Sequence, residues 1–477
     1  MSFNKFNIIF FSLIISIIIV GCKTTVISEK DNLKKIPDSF SSAKDSINSA
    51  NIKWRDYFND SNLTTLIDIA LKNNLDLLSA LQKIEIANAS FKFRKGALFP
   101  DLNLNVAASQ KRFGLYTMDG AGNISTEITP GQIVPIQLPD YYVGLQTSWE
   151  VDVWGKLRNK KKAALARYLS SIEGKNLIVT SLIAEIANTY YGILTLDNEL
   201  DIIIETIKLQ KSAFELVSIQ KEAGAANELA VEQFEAQLLN SMALEFETLQ
   251  KITESENKIN FLLGRFPQSV KRNQLILKQT LPVKIAVGIP SNLLKNRPDI
   301  RQAEFGLLQS KADVRAAKAA FYPSFNISAG LGLQAFKTGF LLTTPQSLAY
   351  SILGNLVAPL INRKAIKAEF KTANANQQQA LYTYQKSIIN GYIEVYNQLN
   401  NISNLEKIYE LKTKEVAVLA KAIETSTTLF KTGRATYIEI LMTQKSSLQS
   451  KRELLYTRQN QFTATINIYK ALGGGWQ

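Results

Sequence analysis

Apolar residues recur at intervals of seven along one long stretch of the chain. The positions are Leu165, Ile172, Val179, Ile186, Ile193, Leu200, Ile207 and Phe214. No proline occurs from Asp140 to Phe266, and a proline inside a helix costs about 3 kcal/mol. A sustained heptad repeat is typical of coiled-coil packing, so the pattern predicts one helix from Gly155 to Ala223, ~100 Å long. Two collinear helices that break near Gly192 are the alternative.

Four other stretches alternate apolar and polar residues with a period of two, which predicts β-strands. These strands are Asp101–Lys111, Tyr141–Val151, Ser324–Ala335 and Ala349–Leu360, with loops at Arg112–Asp140 and Phe336–Leu348. Each strand is close to the ~9–11 residues that cross a membrane in a tilted barrel. Because the smallest membrane barrels have about eight strands, four strands per chain would require several copies. The edge of a soluble β-sandwich is the alternative.

The chain contains an internal duplication. The segment that begins at Asn73 matches the segment at Asn296, and the segment at Gly224 matches the one at Gly433. Both halves therefore follow one order of helix, strand, loop, strand, long helix, glycine turn and helix. We predict a first repeat at residues 54–265, a linker at 266–292 and a second repeat at 293–477.

The N-terminus has the features of an export signal. Lys5 precedes an apolar run from Ile8 to Val20, which is too short for a bilayer span of ~20 residues. The run is followed by Gly21 and Cys22, the one cysteine of the chain. This ending is similar to the bacterial lipobox, in which the cysteine is lipidated. We predict a lipoprotein signal peptide at 1–21 and a polar tether at 22–53; the alternative is an ordinary signal peptide with an incidental cysteine.

Composition argues against an enzyme. The chain has no histidine and one cysteine, which excludes imidazole chemistry, His-ligated metals, internal disulfides and Cys-rich zinc sites. No phosphate-binding glycine loop or nucleophile motif is present, so neither a cofactor nor a metal is expected. The net charge is +14, with the densest basic run from Lys156 to Lys162. We interpret this run as a solvated helix start; a surface near anionic lipid and a positive tunnel lining are alternatives, whereas nucleic acid does not fit an exported protein.

Four motifs, in this order, resemble the TolC-like outer membrane efflux family, and most closely its lipoprotein branch, the outer membrane factors of resistance–nodulation–division systems. They are WEVDVWGKLR from Trp149, RPDIRQAE from Arg297, AAFYPSFNIS from Ala319 and IYKALGGGW from Ile468. The resemblance extends from about Trp54 to Trp476. One departure is LINRKAIKAEF from Leu360, where the family usually has a Gly-Gly pair before its arginine.

The resemblance implies a mainly α-helical fold with membrane β-strands. Three chains would form one twelve-stranded barrel in the outer membrane, continued by a helical tunnel through the periplasm. The implied partners are two further copies of the chain, outer membrane lipids, a periplasmic adaptor and an inner-membrane pump. The implied function is passive efflux of drugs or other small molecules, without a cofactor. An outlet for type I protein secretion and a lipid-anchored coiled-coil scaffold without a pore are the alternatives.

The two repeats also suggest functional positions. Gly224 and Gly433 end equivalent helices, and the resemblance implies that these hairpin tips dock the adaptor. Glu215 and Glu424 each lie nine residues before these glycines. Because three-fold symmetry would gather three carboxylates around one axis, both are candidates for a cation-attracting gate. The resemblance implies an acidic gate at Glu424 and leaves Glu215 as the weaker candidate. Simple turn glycines and solvated surface glutamates are the alternatives.

Overall fold

The computed structural model describes residues 37–40, 49–272, 276–282, 286–361 and 363–477. The predicted signal peptide at 1–21 and the lipid-attachment residue Cys22 lie outside these ranges. Within the tether predicted at 22–53, Phe40 and Ala50 are buried, and the Phe40 ring stacks on Tyr392 with centroids 5.2 Å apart.

Helices and strands follow the predicted order in the first half of the chain. They are α1 (Trp54–Tyr57), α2 (Ser61–Asn73), α3 (Leu75–Gly96), β1 (Asp101–Lys111), α4 (Met118–Ser125), β2 (Glu127–Thr129), β3 (Gln132–Ile133), β4 (Leu138–Val151), α5 (Lys156–Glu222) and α6 (Glu228–Leu262). The second half contains α7 (Leu293–Asn296), α8 (Pro298–Ala319), β5 (Ser324–Ala335), β6 (Leu348–Val357), α9 (Lys364–Lys431) and α10 (Tyr437–Ala471). The two halves therefore repeat one series of elements.

The repeated elements agree closely in length. Helices α3 and α8 have 22 residues each, and α6 and α10 have 35 each. The long helices α5 and α9 have 67 and 68 residues. The prediction of one unbroken helix is confirmed, since α5 continues through Gly192.

The main sheet is antiparallel, with the strand order β1-β4-β5-β6. Three of the predicted strand boundaries are wrong, including the start of β6, which is Leu348 rather than Ala349. β4 begins at Leu138 rather than Tyr141 because it pairs with β1 as far as Lys111. β6 ends at Val357 rather than Leu360, near Pro359, which has no backbone N–H to donate to a ladder. The first predicted loop also contains α4 and the hairpin of β2 and β3.

Helices extend the sheet in the same lateral order. α5 packs against α3 and α8, and α8 packs against α9. The lateral order α3-α5-α8-α9 therefore matches the strand order, and each of these helices adjoins its own strand in the chain. One chain is a layer of four strands continued by a layer of four helices.

A large apolar core lies where α1 and α2 pack against α5 and α10. Tyr57 stacks on Tyr469 with centroids 4.0 Å apart, and Tyr191 stacks on Phe462 at 4.1 Å. By length and composition alone α5 could cross a membrane, but 61% of its most apolar 18-residue window is buried inside the protein. Val179, Ile186 and Ile193 lie in this core, so burial accounts for the central heptads of α5.

Candidate channel wall and hairpin tips

One face of the four-stranded sheet is apolar and exposed. The register aligns Leu104 with Leu145, Leu145 with Leu331, and Leu331 with Tyr350. On the outer strands, Leu104 is 69% and Ile352 is 80% exposed. Because water is a poor solvent for such a surface, this face has the chemistry of a surface that contacts lipid.

The opposite face is polar and has no charged side chain in its middle. Asn105 donates a hydrogen bond to Gln146 across β1 and β4, at 2.9 Å. The Tyr142 side chain lies over Gly144 and Gly332, and a Cβ atom built at Gly144 would come within 2.5 Å of the Tyr142 hydroxyl oxygen. Small and uncharged polar side chains give this face the chemistry of a wall that contacts water.

Both lateral edges of the sheet are long and open in the single chain. β1 has 11 residues and β6 has 10, and within this sheet each pairs with one neighbour. Nearly all their residues are exposed. Unpaired backbone groups along such edges favour pairing with another strand.

The predicted tip glycines end α5 and α9 in left-handed backbone conformations. Gly224 has φ +74° and Gly433 has φ +69°. The N–H of Ala225 donates to the carbonyl of Gln220, and the N–H of Arg434 donates to that of Leu429. These bonds close Schellman motifs, which explains the preference for glycine without a partner protein. A Cβ atom built at either glycine would have no neighbour within 4 Å, so the surface around both tips is unobstructed.

Each tip also carries a start signal for the return helix. The Asn227 side chain accepts a hydrogen bond from the N–H of Ala230 at the start of α6. Thr436 forms a capping box with Glu439 at the start of α10. Val217, Phe234 and Ile440 are buried together, so the two tips pack side by side in one chain. The structure thus brings the two predicted docking positions to one end of the helical layer.

The two candidate gate glutamates lie on different long helices of the chain. Glu215 on α5 and Glu424 on α9 are both exposed in the single chain. Neither carboxylate takes part in an ion pair of the described part of the chain. Both are therefore accessible to a neighbouring copy or to ions.

Buried ion pairs between distant helices were missed by the sequence analysis. Glu199 on α5 is 1% exposed and accepts hydrogen bonds from Arg452 Nε and the Tyr456 hydroxyl of α10, each at 2.6 Å. Burial, together with this carboxylate, raises the pKa of Tyr456 to about 12. A local signal was available for Asp197, a charged residue that stands in a seven-residue series between Tyr190 and Ile204. Asp197 accepts a bidentate pair from Arg272, at 2.5 and 2.9 Å, and so fixes the predicted linker to α5.

The two repeats also close in the same way at their far ends. Arg297 donates to the carbonyl of Ala471 at 2.8 Å, and Asn74 donates to that of Leu262 at 2.9 Å. Asn74 and Arg297 occupy equivalent positions, next to the matched Asn73 and Asn296. Burial alone would lower the pKa of Arg297, but its bonds to Asp299 and Glu394 outweigh burial and raise it.

No group of three or more His, Cys, Asp and Glu side chains that could hold a metal ion occurs among the residues that the structure describes. The ion pairs of Asp197, Arg297 and Glu199 are structural contacts between elements. The features that remain for function are the two-faced sheet, its open edges and the hairpin tips.

Comparison with known proteins identifies close counterparts of this arrangement. A sequence model described as "Outer membrane efflux protein" matches residues 66–265 and 289–474. The probable outer membrane lipoprotein SilC of Salmonella typhimurium is 26% identical over 96% of this chain and 97% of its own length. The pyoverdine export outer membrane protein OpmQ of Pseudomonas aeruginosa is 28% identical over 89% of this chain and 88% of its own.

Among solved structures, the open state of the Neisseria gonorrhoeae MtrE outer membrane channel superposes with a TM-score of 0.82 at 25% identity. The superposition covers 95% of this chain and 99% of that one. The superposed region includes both repeats. The predicted fold class, in which strands are continued by helices, is therefore confirmed.

Proposed function

The chain belongs to the outer membrane efflux protein family, and on this premise we propose that three copies form a passive duct. The duct conducts drugs or other small molecules from the periplasm across the outer membrane. Its twelve strands, four from each chain, close one barrel, and the helices continue the barrel as a tunnel. It uses no cofactor, because the driving force comes from another component.

The two-faced sheet with two open edges is the observation that carries this proposal. A closed barrel buries no edge in lipid, so the exposed backbones of β1 and β6 require strands from neighbouring copies. The apolar face then contacts lipid, and the polar face lines the water-filled interior of the barrel. A lipid-anchored scaffold without a pore would not need a sheet with these two faces.

The uncharged polar wall supports a barrel that does not itself choose between substrates. Related chains are named for different cargo, pyoverdine for OpmQ and cations for the cation efflux system protein CusC of Escherichia coli, which supports the view that a similar chain serves cargo of different chemistry. We assign the choice of substrate to a periplasmic adaptor and an inner-membrane pump. The adaptor docks on the tips at Gly224 and Gly433, which are open and adjacent.

Deletion and complementation test this function. Cells that lack the chain become more sensitive to exported compounds, and the wild-type gene restores tolerance. The Gly433→Trp variant still reaches the outer membrane as a trimer but does not restore tolerance, since the bulky ring blocks the docking tip. The matched control is Gly131→Trp, in the hairpin between β2 and β3, where φ is also positive (+77°) and a Cβ atom would also have no neighbour within 4 Å.

Full tolerance with Gly433→Trp would contradict the docking role. Unchanged tolerance after deletion, with loss of a secreted polypeptide, would favour the protein-secretion outlet instead.

The membrane anchor is a separate proposal. We propose that residues 1–21 are removed and that Cys22 is acylated, ahead of a tether at 22–53, repeats at 54–265 and 293–477 and a linker at 266–292. Labelled palmitate is incorporated into the wild-type chain and not into Cys22→Ala. Equal labelling of both would contradict this assignment.

A further inference from the structure

Positive charge is concentrated where the helices meet the sheet. The four junction segments, 90–101, 149–164, 309–324 and 357–372, contain 15 Lys and Arg against 5 Asp and Glu. They therefore carry ten of the 14 net positive charges of the chain. A net positive charge concentrated at the junction between helices and sheet points to a negatively charged partner at that height of the molecule.

Some of these cations lie on the side of the helices that continues the polar face of the sheet. A cavity of about 280 Å³ is lined by Glu150 and Ser324 from the polar face and by Lys156, Ala320 and Ile366 from the helical segments. Lys156 also forms an ion pair with Glu150 of the polar face, so this side of α5 lies below that face.

Acidic and basic side chains oppose one another on this same side. Asp313, seven residues before Ala320, interacts electrostatically with Arg167 and Lys160 on α5 and with Arg94 on α3. Lys160 in turn follows Lys156 by four residues, so the two share a helix face. The cations of this side are thus balanced in part by an acid.

Helix geometry places the other cations on the opposite side. Each residue turns an α-helix by about 100°, so residues two positions apart point in nearly opposite directions. Arg158 and Lys162 are two positions from Lys160 on α5, and Lys92 is two positions from Arg94 on α3. All three are exposed.

The second repeat has the same arrangement. Lys311 and Arg315 are each two positions from Asp313 on α8, and Lys364 is two positions from Ile366 on α9. Lys318 and Lys371 follow Lys311 and Lys364 by seven residues and share their faces. We call these eight side chains, Lys92 to Lys371, the cationic face. It lies directly below the apolar face of the sheet.

Apolar side chains separate the cationic face from the strands. Phe99, Leu360 and Ile361 are exposed at the junctions. On this face Asp152 pairs with Arg158 at 3.1 Å. Apolar strands, exposed junction residues and then a row of cations match the order of hydrocarbon, interface and headgroups in a membrane leaflet.

We propose that the cationic face binds the anionic headgroups of phospholipids in the leaflet that faces the periplasm. This inference rests on the proposed function, because the membrane position of the sheet sets the level of the face. Three copies would surround the base of the barrel with such faces. They would hold the barrel at a fixed depth and enrich anionic lipid around it.

Spin-label spectroscopy on the full-length trimer in phosphatidylcholine bilayers tests the proposal. Spin-labelled phosphatidylglycerol and spin-labelled phosphatidylcholine are compared as probes of the immobilised lipid around the protein. We expect phosphatidylglycerol to be preferred by roughly fivefold, the effect of about one effective cation per lipid site. The ratio of phosphatidylglycerol to phosphatidylcholine binding falls towards one at 1 M salt, because the Debye length there is about 3 Å.

Three variants locate the effect. Lys162→Gln/Arg315→Gln/Lys318→Gln abolishes the preference, whereas the equally charged change Lys208→Gln/Lys211→Gln/Lys421→Gln, far along the helices, leaves it intact. Lys160→Gln/Arg167→Gln on the opposite side also leaves it intact. Loss with this last variant instead of the first would overturn the assignment of the face.

Conductance of the same trimers in planar bilayers separates this inference from the proposed function. A wild-type trimer that conducts but shows no preference for phosphatidylglycerol would overturn the lipid inference and leave the duct standing. A trimer that prefers the anionic probe but does not conduct would overturn the duct. Conductance by the triple variant shows that it is folded, so loss of its lipid preference supports the cationic face.

Discussion

Four glycines end the long helices, but they lie in two different environments. Gly264 and Gly473 end α6 and α10, and a Cβ atom at either would come within 2.4 Å of a carbonyl oxygen, that of Asn73 or Asn296. Gly224 and Gly433 have the same left-handed conformation with open space around them. Close packing therefore explains the first pair, whereas backbone conformation alone explains the second.

Alanine substitution should distinguish these environments. Gly224→Ala costs about 1 kcal/mol, from the left-handed conformation alone. Gly264→Ala costs more, since the new methyl group also meets the Asn73 carbonyl. Thermal unfolding of the trimer, followed by circular dichroism at one scan rate, should show a larger fall in the apparent Tm for Gly264→Ala than for Gly224→Ala. Equal falls would contradict the packing argument.

The candidate gate is also a question of single residues. We propose that three copies of Glu424 line a constriction about 14 Å from the tips, nine residues before Gly433. Glu424→Gln removes three carboxylates from it, so single-channel recordings should show weaker cation selectivity. Glu215→Gln is the matched control on the other long helix, and we expect little change from it. Unchanged selectivity with Glu424→Gln would make Glu424 an ordinary surface residue.

At the level of elements, a buried ion pair fastens α5 to α10. The Glu199 carboxylate is enclosed between these helices and meets Arg452 and Tyr456. A buried carboxylate that loses its partner is strongly destabilising, because nothing else compensates its lost hydration. The pair therefore sets how the two hairpins lie against each other.

Removing the arginine should uncouple these helices. Arg452→Leu leaves Glu199 buried with one partner fewer, and we expect it to destabilise the protein by about 3–5 kcal/mol. Lys445→Leu, an exposed change on the same helix, is the control for loss of one positive charge. Thermal unfolding followed by circular dichroism compares the two. If the double variant Glu199→Leu/Arg452→Leu is no more stable than Arg452→Leu, the cost does not come from the unpaired carboxylate.

Periodicity explains which elements were predictable from the sequence. The seven-residue repeat of α5 and the two-residue alternation of β5 come from local patterns, and both elements match their predictions closely. The ion pair of Glu199 and Arg452 joins residues 253 positions apart, and no local pattern connects them. The hairpin of β2 and β3 was missed because its strands have three and two residues, too few to show a period.

Candidate functional residues were predicted less completely for the same reason. Gly224 and Gly433 were found because glycine at a helix end is a local signal. The polar wall around Tyr142 was missed in part, since the stacking of its ring over Gly144 and Gly332 depends on the register of two strands. Register is a property of the assembled sheet.

For the whole molecule, the central feature is a sheet that one chain cannot complete. Its outer strands β1 and β6 have exposed backbones, and its two faces differ in chemistry. An assembly that closes these edges in a membrane satisfies both the backbone hydrogen bonds and the apolar face. The open edges and the two different faces of the sheet in one chain therefore imply that the chain forms an oligomer.

The most direct test of this account is to measure the mass and the conductance of the same purified sample. Mass photometry in detergent should give a trimer, and that trimer should form open pores in planar bilayers. The account predicts both results together, because closure of the barrel creates the pore. A monodisperse monomer that conducts, or a trimer that does not conduct, would contradict it.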